Sequence, residues 1–362
     1  MLPQQFVVPV VVMDGPSWRG TPLTRRSVLV GLGAVGAFLA VDLGLVAYTS
    51  RAGTLTRQTF LDGFRSAFGA HPGFRKNHAK GVSVVGHFMS NGNAAALSRA
   101  AVFGPGEMPV AGRFSLAGGN PTVADTPGAA RGLGLAIGFP GPGQWRTAML
   151  NIPVFLDNSP QGFYDRLLAS KPVADGKPDP KVMADFLGRH PETAAAMALV
   201  KKSAPTPGFA DSTFAGLHKF YLVSQAGVRT PVRWSFVPQQ TALPPKSDDP
   251  NALFDALILQ LKKAPLQWNL RLTVGRDGDP TDPTLPWPAD RQVIDAGVLT
   301  LTEAQTDAAG NARDINFDPL VLPDGIEPSD DPLLSARSAV YAGSYRARTI
   351  EPKTAPAVQV VP

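Results

Sequence analysis

Pro328-Ser329-Asp330-Asp331-Pro332-Leu333-Leu334-Ser335-Ala336-Arg337-Ser338-Ala339-Val340-Tyr341-Ala342-Gly343-Ser344-Tyr345-Arg346-Ala347-Arg348 decides how the rest of the chain is read. Ser329 or Asp330 suits a helix N-cap, and Asp331 and Pro332 suit the first turn behind it. Leu333, Arg337, Tyr341 and Tyr345 then recur every four residues and share one helical face. On that face a guanidinium lies one turn before a phenol. A cation in that position lowers a phenol's pKa, and a phenolate is one of the few protein groups that serve as an axial ligand of ferric haem. Alternatively, the tyrosine packs at a helix interface while the arginine snorkels past it.

A second stretch bears on the choice. Arg75-Lys76-Asn77-His78-Ala79-Lys80-Gly81 runs directly into Val82 to Met89, an apolar segment of strand character. Arg113-Phe114-Ser115, Arg131-Gly132-Leu133, Asn151-x-Pro153-x-Phe155 and Phe317-Asp318-Pro319 follow in order. Pro323-x-Gly325-Ile326-x-Pro328-Ser329 completes the set. Taken together, these motifs resemble the haem-binding core of the catalase superfamily over roughly residues 56 to 349. The chain looks like its short, catalase-related peroxidase branch.

The resemblance implies an α+β fold: a catalase-like antiparallel β-barrel with a helical insertion and a C-terminal haem-ligating helix. It implies a non-covalent haem b, with Tyr341 as the iron ligand and Arg337 holding the phenolate. His78 becomes the distal base, Ser115 the hydroxyl that orients it, and Arg75, Arg113 and Arg348 the haem-adjacent cations. Tyr345 falls where full catalases usually carry a histidine. One departure bears on the reaction. Full catalases have a distal Asn at the position of Leu150, whereas here Asn151 comes one residue later. A one-residue shift turns a strand side chain to the other face, so Asn151 reaches the pocket only through a bulge. The expected activity is reduction of hydrogen peroxide or organic hydroperoxides by an external electron donor, with weak catalase activity at most and Asn151 kept among the site residues. A lipid hydroperoxide isomerase and a non-enzymatic haem carrier are the alternatives.

The whole sequence bounds these readings. With 362 residues, 44% hydrophobic and 17% charged, the chain can bury a sizeable core. It has no cysteine, which excludes disulfides, thiolate haem ligation and thiol-based peroxide chemistry. Its 36 glycines and 36 prolines imply many turns. The net charge of +5 is dispersed, without the basic stripe that nucleic-acid binding requires.

Residues 1–23 form an N-terminal tail without periodicity. Arg25-Arg26 then precede an apolar run from Val28 to about Tyr48, interrupted by Asp42. Residues 24–50 therefore read as a twin-arginine export signal or a membrane anchor, with 24–48 meeting the membrane and the body outside the cytoplasm, in the periplasm or its equivalent. The haem domain is assigned to 54–350, and the Pro-rich tail 351–362 wraps the surface or frays. Within the domain, helical spacing is expected over 54–68, 94–101, 160–204 and 251–263. Strands are expected over 82–89, 109–116, 131–139, 145–150, 217–223, 228–237, 266–274 and 293–301. A homo-oligomer is compatible with the sequence, which does not specify the donor.

Overall fold

The computed structural model describes residues 55–173, 176–203, 206–245 and 249–361. The expected tail 1–23 and the export or anchor segment 24–50 lie outside them. Among the described residues no helix is long and apolar enough to cross a membrane.

Among the described residues, ten strands form a single antiparallel sheet: β1 (Gly81–Ser90), β2 (Gly106–Leu116), β3 (Arg131–Ile137), β4 (Trp145–Leu150), β5 (Phe214–Ala215), β6 (Phe220–Val223), β7 (Arg229–Pro238), β8 (Leu266–Val274), β9 (Val293–Gln305) and β10 (Ile326–Pro328). Because β7 also pairs with β8, the order β1-β2-β3-β4-β5-β7-β8-β9 closes back on β1 as an eight-stranded barrel. β6 and β10 extend it along the free part of the β7 edge. Closure removes the unpaired edges that an open sheet would present. The barrel is filled by large side chains, among them Phe88, Phe114, Trp145, Phe214, Trp234 and Trp268.

Among the described residues, six helices pack around it: α1 (Arg57–Phe68), α2 (Pro160–Ala169), α3 (Pro180–Arg189), α4 (Pro191–Lys202), α5 (Ala252–Lys263) and α6 (Pro332–Ile350). α2 to α4 are the expected insertion, each opened by a proline that fixes the first-turn φ and needs no amide partner there. α6 is capped by Asp331 rather than by Ser329 or Asp330, its carboxylate accepting from Leu333 N at 2.9 Å. Pro332 disfavours a helical residue before it, so the cap falls on its immediate neighbour.

Two further expectations are corrected, and a third is narrowed to one of its two alternatives. Residues 94–101 form turns followed by a short 3-10 helix at Ala101–Phe103, because Arg99 N and Ser98 Oγ bond across to Val223 O and Gly325 O. The strand expected from Leu217 begins only at Phe220, since Leu217 sits at φ 68. The C-terminal tail does not fray: Val358 is buried in the main core, and Val360 N donates to Thr306 Oγ1 at 2.8 Å.

The loop before β1 is fixed by a buried ion pair. Lys80 Nζ meets Asp125 Oδ1 at 2.7 Å and also donates to Val123 O and Pro250 O. The other oxygen of Asp125 accepts from Leu253 N at the start of α5. Removing one partner of such a pair strands the other charge, so Asp125→Ala is expected to cost about 3–5 kcal/mol in urea unfolding. Replacing both residues with apolar ones should recover most of that loss.

Candidate functional site

Strand register places the site on the outer face of the barrel. Side chains alternate along β2, so Phe114 enters the core while Arg113 and Ser115 face outward. Ser115 pairs with Gly132, which pairs with Leu150; Arg113 pairs with Gly134, which pairs with Ala148. These two rows form a floor of small residues edged by a hydroxyl, a guanidinium and a leucine. A cavity of about 370 Å³ lies over it, within the size range of small-molecule sites. α6 forms another wall with Arg337, Tyr341 and Arg348, and α1 contributes Phe60, Phe64 and Phe68.

Two glycines are needed for space. A Cβ on Gly132 would lie 2.9 Å from Ser115 Oγ and 3.0 Å from the His78 ring. One on Gly81 would lie 2.5 Å from the Arg113 guanidinium carbon.

His78 is held in the left-handed region, at φ 59, which is costly for a residue with a Cβ. Its backbone is fixed at both ends. His78 N donates to Asn77 Oδ1 at 3.0 Å, and Arg113 Nη1 donates to His78 O at 2.8 Å. The ring is aimed by Ser115, whose Oγ lies 3.0 Å from Nδ1. That leaves Nε2 as the ring nitrogen free to act in the cavity. Burial, followed by the charges of Arg113, Arg337 and Arg75, pushes the imidazole pKa down to about 3. His78 and Arg75 keep some accessible surface, but both line the cavity rather than open solvent. At neutral pH the ring is therefore uncharged and able to accept a proton.

Arg75 Nη2 donates to the carbonyls of Ala312 and Ile315, each at 3.0 Å, and Arg348 Nη2 shares the Ile315 carbonyl at 3.0 Å. Arg113 is paired with Asp307 at 2.8 Å. Burial, then Arg348 and Arg113, holds the Arg75 pKa well below its usual value. Burial, then Arg113, lowers that of Arg348 to about 10. Among the described residues, only one of the three guanidiniums has a carboxylate partner, leaving an excess of positive charge that a ligand with two carboxylates would offset.

On α6, the Arg337 guanidinium carbon lies 6.0 Å from the centre of the Tyr341 ring, and Nη2 donates to Ala148 O at 3.3 Å. Phe317 packs with Tyr341. The helix start is clamped by a residue that sequence reasoning missed: His218 Nδ1 lies 2.6 Å from Asp331 Oδ2, both side chains buried. His218 Nε2 is buried without a partner. Burial lowers the His218 pKa to about 4 although the Asp331 bond opposes the shift, and Arg337 adds to it. Asp307 was missed as well. It lies in the loop after β9, where no spacing ties it to Arg113.

All but one of the site residues expected from sequence line the cavity: His78, Ser115, Arg75, Arg113, Arg337, Tyr341 and Arg348. Asn151 does not. The β3–β4 pairing runs without a bulge to Gly132–Leu150, so Leu150 faces the cavity. Asn151 Oδ1 instead accepts from Arg131 N at 2.6 Å. The cation excess, the phenol on α6 and the apolar walls together fit haem.

Comparison with known proteins agrees with this geometry. A catalase-related peroxidase of Synechococcus elongatus is 40% identical over 320 residues, covering 86% of this chain and 94% of that protein. One from Mycolicibacterium paratuberculosis is 31% identical over 305 residues, covering 82% and 96%. A fungal catalase structure aligns with a TM-score of 0.67 at 20% identity, over 76% of this chain and 59% of that one. A bacterial catalase gives 0.68 at 21%, over 94% and 64%. The chain therefore spans about three-fifths of the length of those two structures. Residues 73–253 and 272–354 match the Catalase family, and the chain belongs to it.

Proposed function

We propose that the chain is a haem peroxidase, reducing hydrogen peroxide or an organic hydroperoxide with electrons from an external donor. Catalase activity is weak at most. The observation that carries this reading is the neutral His78 ring, oriented by Ser115 in a cavity that Tyr341 and Arg337 of α6 also line. The two relatives of nearly the same length, both called catalase-related peroxidases, support it.

The group proposed for the site is haem b, since a chain without cysteine has no thiol to attach haem covalently. It would supply a redox-active iron that takes up oxidising equivalents as the peroxide O–O bond breaks. Tyr341 would hold the iron, and the cation of Arg337 favours its phenolate form. Arg75, Arg113 and Arg348 would pair the propionates. His78 Nε2 takes the proton from the peroxide oxygen being bound and returns it to the oxygen that leaves. Leu150 offers no hydrogen bond to a second peroxide, which disfavours disproportionation relative to donor oxidation. Arg25-Arg26 and the apolar run behind them support an extracytoplasmic location, exported or anchored at a membrane.

Purified protein should show one haem per chain, and Tyr341→Phe should lose it or change its ligation. Unchanged Soret and charge-transfer bands in that variant would remove Tyr341 as the ligand. His78→Ala should keep the haem and slow the peroxide step by ~10²- to 10⁴-fold, the usual contribution of a placed acid–base group. Stopped-flow absorbance reads this directly.

The pH dependence follows from the lowered pKa of His78. A base with a depressed pKa is in its accepting form above that value and loses it only as pH falls through it. Propionates on the arginines move the midpoint back up, but burial, the largest cause, keeps it below 6.5. The peroxide step should therefore hold its rate from pH 7 through 6.5, and a midpoint at or above 6.5 would contradict the environment described here. Export is tested by replacing Arg25-Arg26 with two lysines in full-length protein and fractionating the cells. A twin-arginine route fails, an anchor tolerates the change, and cytoplasmic soluble wild type rules out both.

A further inference from the structure

Among the polar side chains on the cavity wall that the proposed reaction does not use, Asn77 lies nearest in sequence to the distal base. Asn77 precedes His78 and lines the cavity with it. Its Oδ1 accepts two backbone amides, His78 N at 3.0 Å and Gly118 N at 2.8 Å. Two N–H donors can be met only by the oxygen of an amide, so the orientation of this side chain is settled by its partners. Nδ2 is then turned away from both of them. Among the described residues it donates to no protein group, and it is not among the buried atoms left unpartnered. It is therefore an accessible amide donor at a cavity where the β4 position offers only Leu150.

We infer that Asn77 is a substrate-contacting residue. Its Nδ2–H donates to the first bound hydroperoxide beside His78, while the β4 position at Leu150 still offers no donor to a second one. This rests on the peroxidase reading above. The two ends of the side chain have separate tasks. Oδ1 stabilises the left-handed turn that aims His78, and Nδ2 meets the ligand. Because the oxygen is anchored by two bonds, the donor is pre-organised and costs little ordering when substrate arrives.

Fluoride binding to the ferric protein tests this without turnover, because a small anion at the iron gains from a nearby donor. The free ligand affinity is measured by absorbance titration of haem-loaded wild type, Asn77→Leu, and Asn77→Leu with Leu150→Asn. Asn77→Leu should weaken fluoride by about tenfold to a hundredfold, the worth of one charge-assisted hydrogen bond. The double variant, which places an amide at the β4 position paired with Gly132, should recover most of that loss. Unchanged affinity in Asn77→Leu overturns the inference. A loss that Leu150→Asn does not recover also overturns it, assigning Asn77 to the positioning of His78 alone. Should Asn77→Leu fail to fold, Asn77→Asp keeps the oxygen that accepts both backbone amides and lacks the donor, and wild-type affinity in that variant again overturns the assignment. A wild-type protein with no haem spectrum would instead sink the peroxidase reading, and this inference with it, before any variant is compared.

Discussion

The guanidinium of Arg113 is the interaction on which the site depends. One nitrogen holds the carbonyl of His78, another that of Ala79, and the third meets the Asp307 carboxylate. Asp307 in turn accepts from Ser83 Oγ at 2.6 Å. A single side chain on β2 thus ties the loop before β1, β1 itself and the segment after β9. The strained backbone of His78 is maintained by this over-determination rather than by local preference. Gly81 follows from it, because a side chain there would occupy the space of the guanidinium.

The same arginine sets the electrostatics. Arg75, Arg113 and Arg348 are gathered where solvent is scarce, and two of the three have no carboxylate partner among the described residues. Such an arrangement opposes folding until an anion arrives, since buried like charges repel and lose hydration. The cost has a functional counterpart: burial first, and then the charges of Arg113, Arg337 and Arg75, keep the His78 ring neutral. Both buried histidines bear on acid stability in the same direction. With folded pKa values below 6.5, His78 and His218 take up protons more readily in the unfolded chain. Stability is therefore lost as pH drops below 6.5, and the loss levels off only below the folded values.

Much of this was legible in the sequence because the signals are local. The four-residue recurrence of Leu333, Arg337, Tyr341 and Tyr345 is a property of one helix. The alternation that puts Arg113 and Ser115 on one face is a property of one strand. Proline fixed the starts of α2, α3, α4 and α6. What failed to show was tertiary. β5 and β10 are two and three residues long and exist only because β4, β6 and β7 offer edges. His218 and Asp331 lie 113 positions apart, and neither carries a spacing that points to the other. The turns over 94–101 replace a plausible helix because distant carbonyls take their donors.

Asn151 shows how little separates a pocket residue from a structural one. Strand alternation leaves no intermediate choice: with the β3–β4 ladder unbroken, residue 150 faces the cavity and residue 151 cannot. A loop is not bound by that parity. The chain before β1 can turn any of its residues toward the cavity, provided something holds the turn, and here Asn77 Oδ1 and Arg113 do so. A polar group absent from a strand position is therefore more easily supplied from the neighbouring loop than from the next residue of the same strand. By that asymmetry the loop beside His78 can present an amide to this cavity, whereas Asn151 commits its Oδ1 to Arg131 N.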